Sequence, residues 1–198
     1  MSKANKSNKA IKYRLYPNDE QKVMFAKTFG CCRFVYNQLL ALQKQRYKDG
    51  ESHLSKLKSN EFATRTLKKD YDFLKEIDKF AVSNAVFHLA DAYDRFFKKQ
   101  NHFPKFKSKR KSKKSYTTNF TNNNILIGKN VIKLPKVGMV KAVIHKLPKD
   151  DWKLKSVTVS QGGVGNYFAS VLFEYEQEDI PSVSKSSTNA IGLDYKSD

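Results

Sequence analysis

Acidic residues are scarce in this chain. Among 198 residues, 19 Asp and Glu stand against 38 Lys and Arg, which gives a formal net charge of +19 and a pI near 9.8. A folded chain with this excess repels itself unless a polyanion balances the charge. Nucleic acid is the usual polyanion, because Lys and Arg neutralise backbone phosphates and release their counterions. A membrane surface is the weaker alternative.

Long apolar runs are also missing. The sequence contains no stretch of about 18 apolar residues that could span a bilayer. Residues 1–9 are polar and rich in lysine, without the apolar segment of a signal peptide. We therefore expect no membrane partner and a cytoplasmic location.

Cysteine and histidine are too few and too scattered to build a site. The only cysteines, Cys31 and Cys32, are adjacent, so a disulfide between them would strain the peptide. No CxxC pair exists that could hold zinc. The four histidines have no ligand spacing. We expect both thiols to be small buried side chains in a reducing compartment.

The first half of the chain has strand and helix patterns. Residues 11–16 alternate apolar and basic side chains, which predicts a half-buried strand ending at Pro17. Asn18 and Asp19 can cap a following helix. Apolar residues then recur at helical spacing, although Gly30 interrupts them. One bent helix and two helices with a turn near 28–31, as in a helix-turn-helix, are both compatible with this pattern.

Further along, residues 54–76 predict less regular helices, and residues 79–99 predict a helix with a broad apolar stripe. Residues 98–116 then hold nine basic residues and no acid, with Phe103, Phe106 and Tyr116 interleaved. Such a run cannot pack on itself, so it predicts a surface loop or arm. Basic residues contact phosphates and aromatic rings stack on unpaired bases.

From Ile125 the apolar period changes to two. A hairpin is predicted over 125–134, and further strands over 139–145, 152–160 and 167–175, with Gly162–Gly165 as a hairpin tip. Short antiparallel strands of this kind suggest a small barrel or sandwich. The predicted fold class is therefore α+β, an antiparallel β-barrel interrupted by a helical insertion. The last nine residues begin a new strand without its domain, which suggests a truncated chain.

Four motifs in order resemble a known family. They are Tyr13-Arg-Leu-Tyr-Pro17 with Gln21, Phe29-Gly-Cys-Cys-Arg-Phe-Val-Tyr-Asn37, Phe103-Pro-Lys-Phe-Lys-Ser108 with Ser115-Tyr-Thr-Thr118, and Ile191-Gly-Leu-Asp194. Together they resemble the N-terminal part of the TnpB (OrfB) proteins of bacterial insertion sequences. That family is RNA-guided DNA endonucleases, which implies guide RNA and target DNA as partners. Lys196 departs from the family pattern, since many members have glycine there.

The resemblance implies a domain organisation. The first wedge strand would occupy 1–18, a helical recognition domain with a helix-turn-helix at 19–48 would occupy 19–100, and the basic arm 101–118. The wedge β-barrel would occupy 119–178, a linker 179–189, and the start of a RuvC nuclease domain 190–198. Base pairing would read the target, while the protein reads shape and a short adjacent motif.

The resemblance also implies the site residues. Asp194 is expected to be the first RuvC carboxylate, a catalytic residue and a ligand of Mg²⁺ in an incomplete site. Zinc would belong only to a part of the family beyond residue 198, and no cofactor is expected for these 198 residues, which we expect not to cleave DNA. The expected nucleic-acid-binding residues are Lys12, Arg14, Arg33, Asn37, Lys98, Lys99, Lys105, Lys107, Lys109, Arg110, Lys111, Lys113, Lys114, Tyr116, Thr117 and Thr118.

Two alternatives remain open from the sequence. The parent protein could be a nuclease-dead, RNA-guided repressor, although retention of Asp194 argues modestly against that. The chain could also be a generic basic RNA-binding protein, which would not explain four ordered motifs.

Overall fold

The strand β1 (Asn5–Tyr16) opens the part of the chain described by this computed structural model, which covers residues 5–177. The side chains of Ile11, Tyr13 and Leu15 are buried, whereas Lys12 and Tyr16 are exposed. Successive side chains of a strand point to opposite faces, so this alternation forms one buried and one open face. The strand predicted at 11–16 is confirmed, and it begins earlier, at Asn5.

One continuous helix follows, α1 (Asp19–Lys48). Its N terminus carries a capping box, in which the Asn18 side chain accepts from the backbone N–H of Gln21 and the Gln21 side chain accepts from that of Asn18. The helix passes through Gly30 without a turn. A glycine costs a helix about 1 kcal/mol, and the buried face on both sides, which includes Phe25, Phe29, Cys32, Tyr36 and Leu39, offsets that cost. Residues 19–48 therefore form one helix, without the turn near 28–31 that the two-helix alternative needs.

The remaining helical segments lie between α1 and the sheet. The irregular helices predicted over 54–76 are confirmed as α2 (Lys56–Glu61), a π-helical stretch (Phe62–Leu67), the short turn α3 (Lys68–Asp70) and a 3-10 turn (Asp72–Lys75). The predicted long helix is α4 (Lys79–Phe97), capped by the Asp78 side chain. It ends two residues earlier than expected, and Lys99 has a φ of 57°.

Six further strands complete the fold. They are β2 (Lys114–Asn119), β3 (Leu126–Ile127), β4 (Val131–Leu134), β5 (Gly138–Val143), β6 (Lys153–Gln161) and β7 (Tyr167–Gln177). With β1 they form one antiparallel sheet in the order β2-β6-β7-β1-β5-β4-β3. The hairpin β3–β4 and the tip Gly162–Gly165 between β6 and β7 lie where the sequence predicts them.

The predicted β-barrel is wrong in one respect, because the sheet is open. Among residues 5–177, β2 and β3 are its edges and do not pair with each other. Helices cover the buried face where barrel closure would require strands. The rings of Phe25 and Phe29 in α1 lie 6.3 and 5.9 Å from the ring of Tyr116 in β2. The α+β class with an antiparallel sheet and a helical insertion is confirmed.

Candidate nucleic-acid interface

The open face of the sheet carries cations, hydroxyls and the aromatic rings of Tyr16 and Phe168. Arg14 of β1 pairs in register with Phe168 of β7, and Lys12 pairs with Ser170. The Lys12 Nζ lies 4.3 Å from the centroid of the Phe168 ring, and the Arg14 Cζ lies 5.2 Å from it. These are cation–π distances, so the ring fixes both cations on this face. The Arg14 Nε is buried and has no hydrogen-bond partner in residues 5–177.

Hydroxyl side chains continue the same face toward the β2 edge. Thr117 of β2 lies opposite Thr158 of β6, and their Oγ1 atoms are 2.8 Å apart. Thr158 is in turn opposite Ser170. A row of hydroxyls therefore leads from the edge strand to Lys12. Hydroxyls and cations are the usual contacts to phosphate and sugar oxygens.

The face has little negative charge. Glu174 and the exposed Glu176 of β7 lie on it, and the Glu174 carboxylate is 3.5 Å from the Nζ atoms of Lys6 and of Lys155. Two cations therefore balance the Glu174 carboxylate, and a phosphate chain crossing the face away from these two acids would meet positive charge.

The basic loop, residues 98–113, connects α4 to β2 and is tied to α1. The Asn37 side chain donates to the Lys107 carbonyl (2.9 Å) and accepts from the Lys107 N–H (2.8 Å). The Lys44 Nζ lies 5.5 Å from the ring of Phe103 and 4.9 Å from that of Phe106. Ser108 and Ser112 close a small turn inside the loop. The loop is thus an anchored surface segment, and its geometry differs from that of a free arm.

The sequence-predicted residues divide by exposure. Asn37, which holds the basic loop, is half-buried together with Arg14, Arg33, Lys107 and Thr117. The exposed members are Lys12, Lys98, Lys99, Lys105, Lys109, Arg110, Lys111, Lys113 and Lys114. Asp194 and the stretches 179–189 and 190–198 lie outside the described residues.

Tyr116 and Thr118 need a correction, because their side chains are in the core rather than at the surface. Tyr116 is 3% exposed and Thr118 is fully buried. Both point inward from β2, where the Thr118 hydroxyl donates to the Asp78 carboxylate (2.7 Å). Burial raises the pKa of the Tyr116 hydroxyl well above its usual range. Neither side chain therefore belongs to an exposed surface arm.

A basic cleft was missed by the sequence reasoning. It measures about 480 Å³ and combines lysines with amide and hydroxyl side chains. Its polar lining consists of one acid, Asp78, and of Lys68, Lys75, Lys79, Lys136, Thr121, Asn122 and Asn124. Asn122 and Asn123 have positive φ angles of 46° and 55°. The sequence signal that could have indicated the turn was the asparagine run, since Asn tolerates this conformation.

Comparison with known proteins finds a family model over the first strand and the long helix, and relatives that align with most of the chain. The OrfB IS605 model described as "Helix-turn-helix domain" matches residues 7–52, which hold most of β1 and all of α1. A Streptomyces pristinaespiralis protein named "Putative RNA-guided DNA endonuclease" is 30% identical over 188 residues, covering 94% of this chain and 45% of that protein. "Putative RNA-guided DNA endonuclease InsQ" of Escherichia coli is 29% identical over 192 residues, covering 93% and 44%.

The chain belongs to the TnpB/OrfB IS605 family. It corresponds to the N-terminal portion of that family and spans about half the length of these two relatives. The virulence protein VsdF of Salmonella dublin is a shorter relative, 32% identical over 111 residues, which cover 51% of this chain and 93% of VsdF. The resemblance seen in the four motifs is confirmed at the family level.

Membrane and metal features can be judged only for residues 5–177. No helix in this range is both long and apolar enough to cross a bilayer. The same range contains no group of three or more His, Cys, Asp or Glu side chains able to hold a metal ion. Asp194, where Mg²⁺ is expected, lies outside this range.

Proposed function

We propose that this chain is the nucleic-acid-binding N-terminal portion of a TnpB-type RNA-guided DNA endonuclease. The observation that carries the proposal is the basic loop, a segment of 16 residues without an acid that is fixed against α1 by Asn37. A fixed row of cations without acidic partners is typical of a surface that binds a phosphate backbone. The guide RNA and target DNA are the proposed polyanions.

In this proposal nucleic acid contacts two surfaces, the basic loop and the open face of the sheet. The basic loop supplies exposed cations, of which Lys105, Lys109 and Arg110 have no ion pair within residues 5–177. The open sheet face supplies cations held over an aromatic ring, next to a hydroxyl row. Hydroxyls favour RNA as the ligand of that face, since the ribose 2′-hydroxyl both donates and accepts.

The domain assignments follow the same proposal. The sheet is the wedge part, residues 19–100 form the recognition part, and Asp194 begins the RuvC part. DNA cleavage would require the whole protein. Asp194 would bind Mg²⁺ together with further carboxylates that family members carry beyond residue 198.

The experiment is a salt titration of binding. The purified chain is mixed with a labelled 20-nucleotide RNA or single-stranded DNA, and fluorescence anisotropy is followed from 50 to 400 mM KCl. We expect log Kd to rise linearly with log salt, because each neutralised phosphate of a single strand contributes a slope of about 0.7. Changing Lys109, Arg110 and Lys111 to Gln should lower the slope by about two.

The matched control removes three cations that are already paired. Lys22, Lys27 and Arg65 form ion pairs with Asp19, Glu76 and Glu61. Their change to Gln should leave the slope within about 0.5 of the original. Salt-independent binding by the unaltered chain, or equal slopes for the two triple variants, would contradict the role of the basic loop.

A further inference from the structure

A small pocket lies where the basic loop meets α1, α4 and the start of β2. Its volume is about 40 Å³, enough for roughly three water molecules by the space one water needs. Cations line it from three elements: Arg33 from α1, Lys107 and Lys113 from the loop, and Lys114 from β2. A nucleobase or nucleoside is too large for this volume, whereas a single phosphate group is comparable in size.

The charge of the pocket is not balanced by the protein. No acidic side chain lines it. None of its four cations forms an ion pair with a residue in the range 5–177. Lys107 is half-buried, and its Nζ lies 4.0 Å from the centroid of the Tyr36 ring, a contact with a neutral group. Removing an ammonium group from water without an anion is costly.

The titration behaviour of neighbouring groups agrees with this imbalance. Burial lowers the pKa of Lys107 from its usual range. Burial and the nearby Lys107 charge lower the pKa of His88, which also lines the pocket, and the Asp91 carboxylate only partly opposes this. A bound anion would relieve both effects, since it favours the charged form of each group.

One of the residues that line the pocket, Tyr116, also carries a donor without a partner in residues 5–177. Tyr116, which lines it, is 3% exposed, and its hydroxyl is buried without a hydrogen-bond partner in the described residues. A buried hydroxyl without a partner costs about 1–3 kcal/mol, so such groups usually mark an unseen water or ligand. Because burial raises its pKa, the Tyr116 hydroxyl remains protonated and can donate. Hydroxyls of Ser108, Ser112 and Ser115 add further donors.

We propose that this pocket binds one phosphate group, held by Arg33 and Lys107 and by hydroxyl donors that include Tyr116. Where the phosphate is part of a nucleic acid, this proposal rests on the proposed function. It adds a specific binding site for one phosphate to the general electrostatic attraction of the basic loop. The phosphate could be an internal phosphodiester, a 5′-terminal phosphate or free inorganic phosphate.

The first test uses inorganic phosphate as the probe and thermal unfolding of the whole chain as the readout, with KCl as the reference at equal ionic strength. Once phosphate exceeds its Kd about tenfold, the Tm should rise by about 3–5 °C. The rise should disappear when Arg33 and Lys107 are both changed to Gln. Tyr116→Phe keeps the shape of the core and should weaken phosphate binding by about threefold or more.

The control for this test is Lys58→Gln combined with Lys69→Gln. Both lysines are exposed, lie outside the pocket and form no ion pair within residues 5–177. This variant loses the same charge and should keep the full phosphate-dependent rise in Tm. Equal shifts in the pocket variant and the control, or no shift in the unaltered chain, overturn the site.

The second test separates the sources of phosphate and the two proposals. A 20-nucleotide RNA with a 5′-phosphate is compared with the same RNA carrying a 5′-hydroxyl. If the pocket variant loses affinity about tenfold for both, an internal phosphodiester occupies the pocket; a loss for the phosphorylated RNA alone indicates the terminal phosphate. If the chain binds RNA but its Tm does not rise with phosphate, the phosphate site is disproved and the proposed function stands. If the Tm rises with phosphate but the chain does not bind RNA, the proposed function is disproved and the phosphate site stands.

Discussion

The side-chain amide of Asn37 in α1 forms two hydrogen bonds with the backbone of Lys107, one to its carbonyl and one from its N–H. This is the pairing that a neighbouring strand would offer, supplied here by a single helix side chain. It connects positions 70 residues apart in the sequence. The path of the basic loop therefore depends on α1, and two residues that both belong to the family motifs are joined by it.

Asn37→Ala is expected to loosen the basic loop. Two part-buried backbone groups of Lys107 lose their partner, which should lower the free energy of unfolding by about 1–3 kcal/mol. Urea denaturation followed by circular dichroism measures this change. RNA affinity should fall as well, since the loop cations are no longer held in one arrangement.

Gln38→Ala is the matched control for the Asn37 prediction. Gln38 is the adjacent α1 residue, is also half-buried, and its side chain forms no hydrogen bond in the described part of the chain. Its removal should change the unfolding free energy by less than about 0.5 kcal/mol. If both alanine variants unfold at the same urea concentration, the Asn37–Lys107 contact does not stabilise the loop.

The ring of Phe168 is expected to position Lys12 and Arg14 rather than to stack on a base, because both cations already lie over it. Phe168→Ala should weaken RNA binding by about two- to fivefold, the range of an exposed cation–π contact. The slope of log Kd against log salt should not change, since no charge is removed. Lys12→Met, in contrast, should lower that slope by about one.

Leu172→Ala provides the control for the Phe168 prediction. Leu172 lies four residues further along β7 on the same open face and is half-buried. Its aliphatic side chain has no ring and cannot form a cation–π contact. Its loss should change stability more than RNA affinity. A Phe168→Ala protein that is correctly folded and binds RNA as tightly as the Leu172→Ala protein would show that the ring has no positioning role.

The local patterns were readable from the sequence, and the closure of the sheet was not. The alternation of Ile11, Tyr13 and Leu15 predicts β1 because a strand has a period of two. Whether the two edge strands pair depends on what packs against the buried face of the sheet. Here α1 and α4 pack against the edge strand β2, and such contacts between separate elements cannot be read from a local pattern. Gly30 was ambiguous for a similar reason, since only packing of the whole α1 face decides that the helix continues.

The misplacement of Tyr116 has a local cause. The residues Ser115 to Thr118 alternate outward and inward in β2, so a strand could have been predicted there. The neighbouring Lys113 and Lys114 favour a surface arm instead, because the high charge density obscures the period of two. The buried Asp78 that receives the Thr118 hydroxyl could not be foreseen, as it is 40 residues away.

The contact between Thr118 and Asp78 leads to a prediction on stability. The Asp78 carboxylate accepts from the Thr118 hydroxyl (2.7 Å) and from the N–H of Ala81 at the start of α4 (3.3 Å). Thr118→Val keeps the shape of the side chain but leaves the buried carboxylate short of one donor. Because bonds to charged groups are the stronger ones, the free energy of unfolding should fall by about 1.5–3 kcal/mol in urea denaturation.

Thr158→Val is the matched comparison for Thr118→Val. Its hydroxyl pairs with that of Thr117, a neutral and half-buried contact on the open face. The expected loss is about 0.5–1.5 kcal/mol or less. If the two valine variants are equally stable, the link between β2 and the α4 cap does not carry the strength assigned to it.

The adjacent thiols predict a loss of stability at alkaline pH. Burial raises the pKa of Cys31 to about 11 and that of Cys32 to about 12, whereas an unfolded cysteine titrates near about 8.5. Between these values the unfolded chain has released protons that the folded chain retains. Since stability falls with pH wherever the folded state binds more protons, the thiols favour folding fully below about pH 8.5 and lose that effect as the pH rises toward 11 and beyond.

The buried tyrosines also lower the stability as the pH rises, so the measurement must separate their effect from that of the thiols. Burial raises the pKa of Tyr13, Tyr36 and Tyr93, and their effect begins only above the usual tyrosine value near about 10. Urea unfolding from pH 8 to 11 is therefore compared between the unaltered chain and Cys31→Ala combined with Cys32→Ala. The double variant is less stable at every pH, because it loses buried side chains, but its decline should start about one pH unit later. Parallel declines from pH 8 upward would mean that the thiols titrate alike in the folded and unfolded chain and are not buried as described.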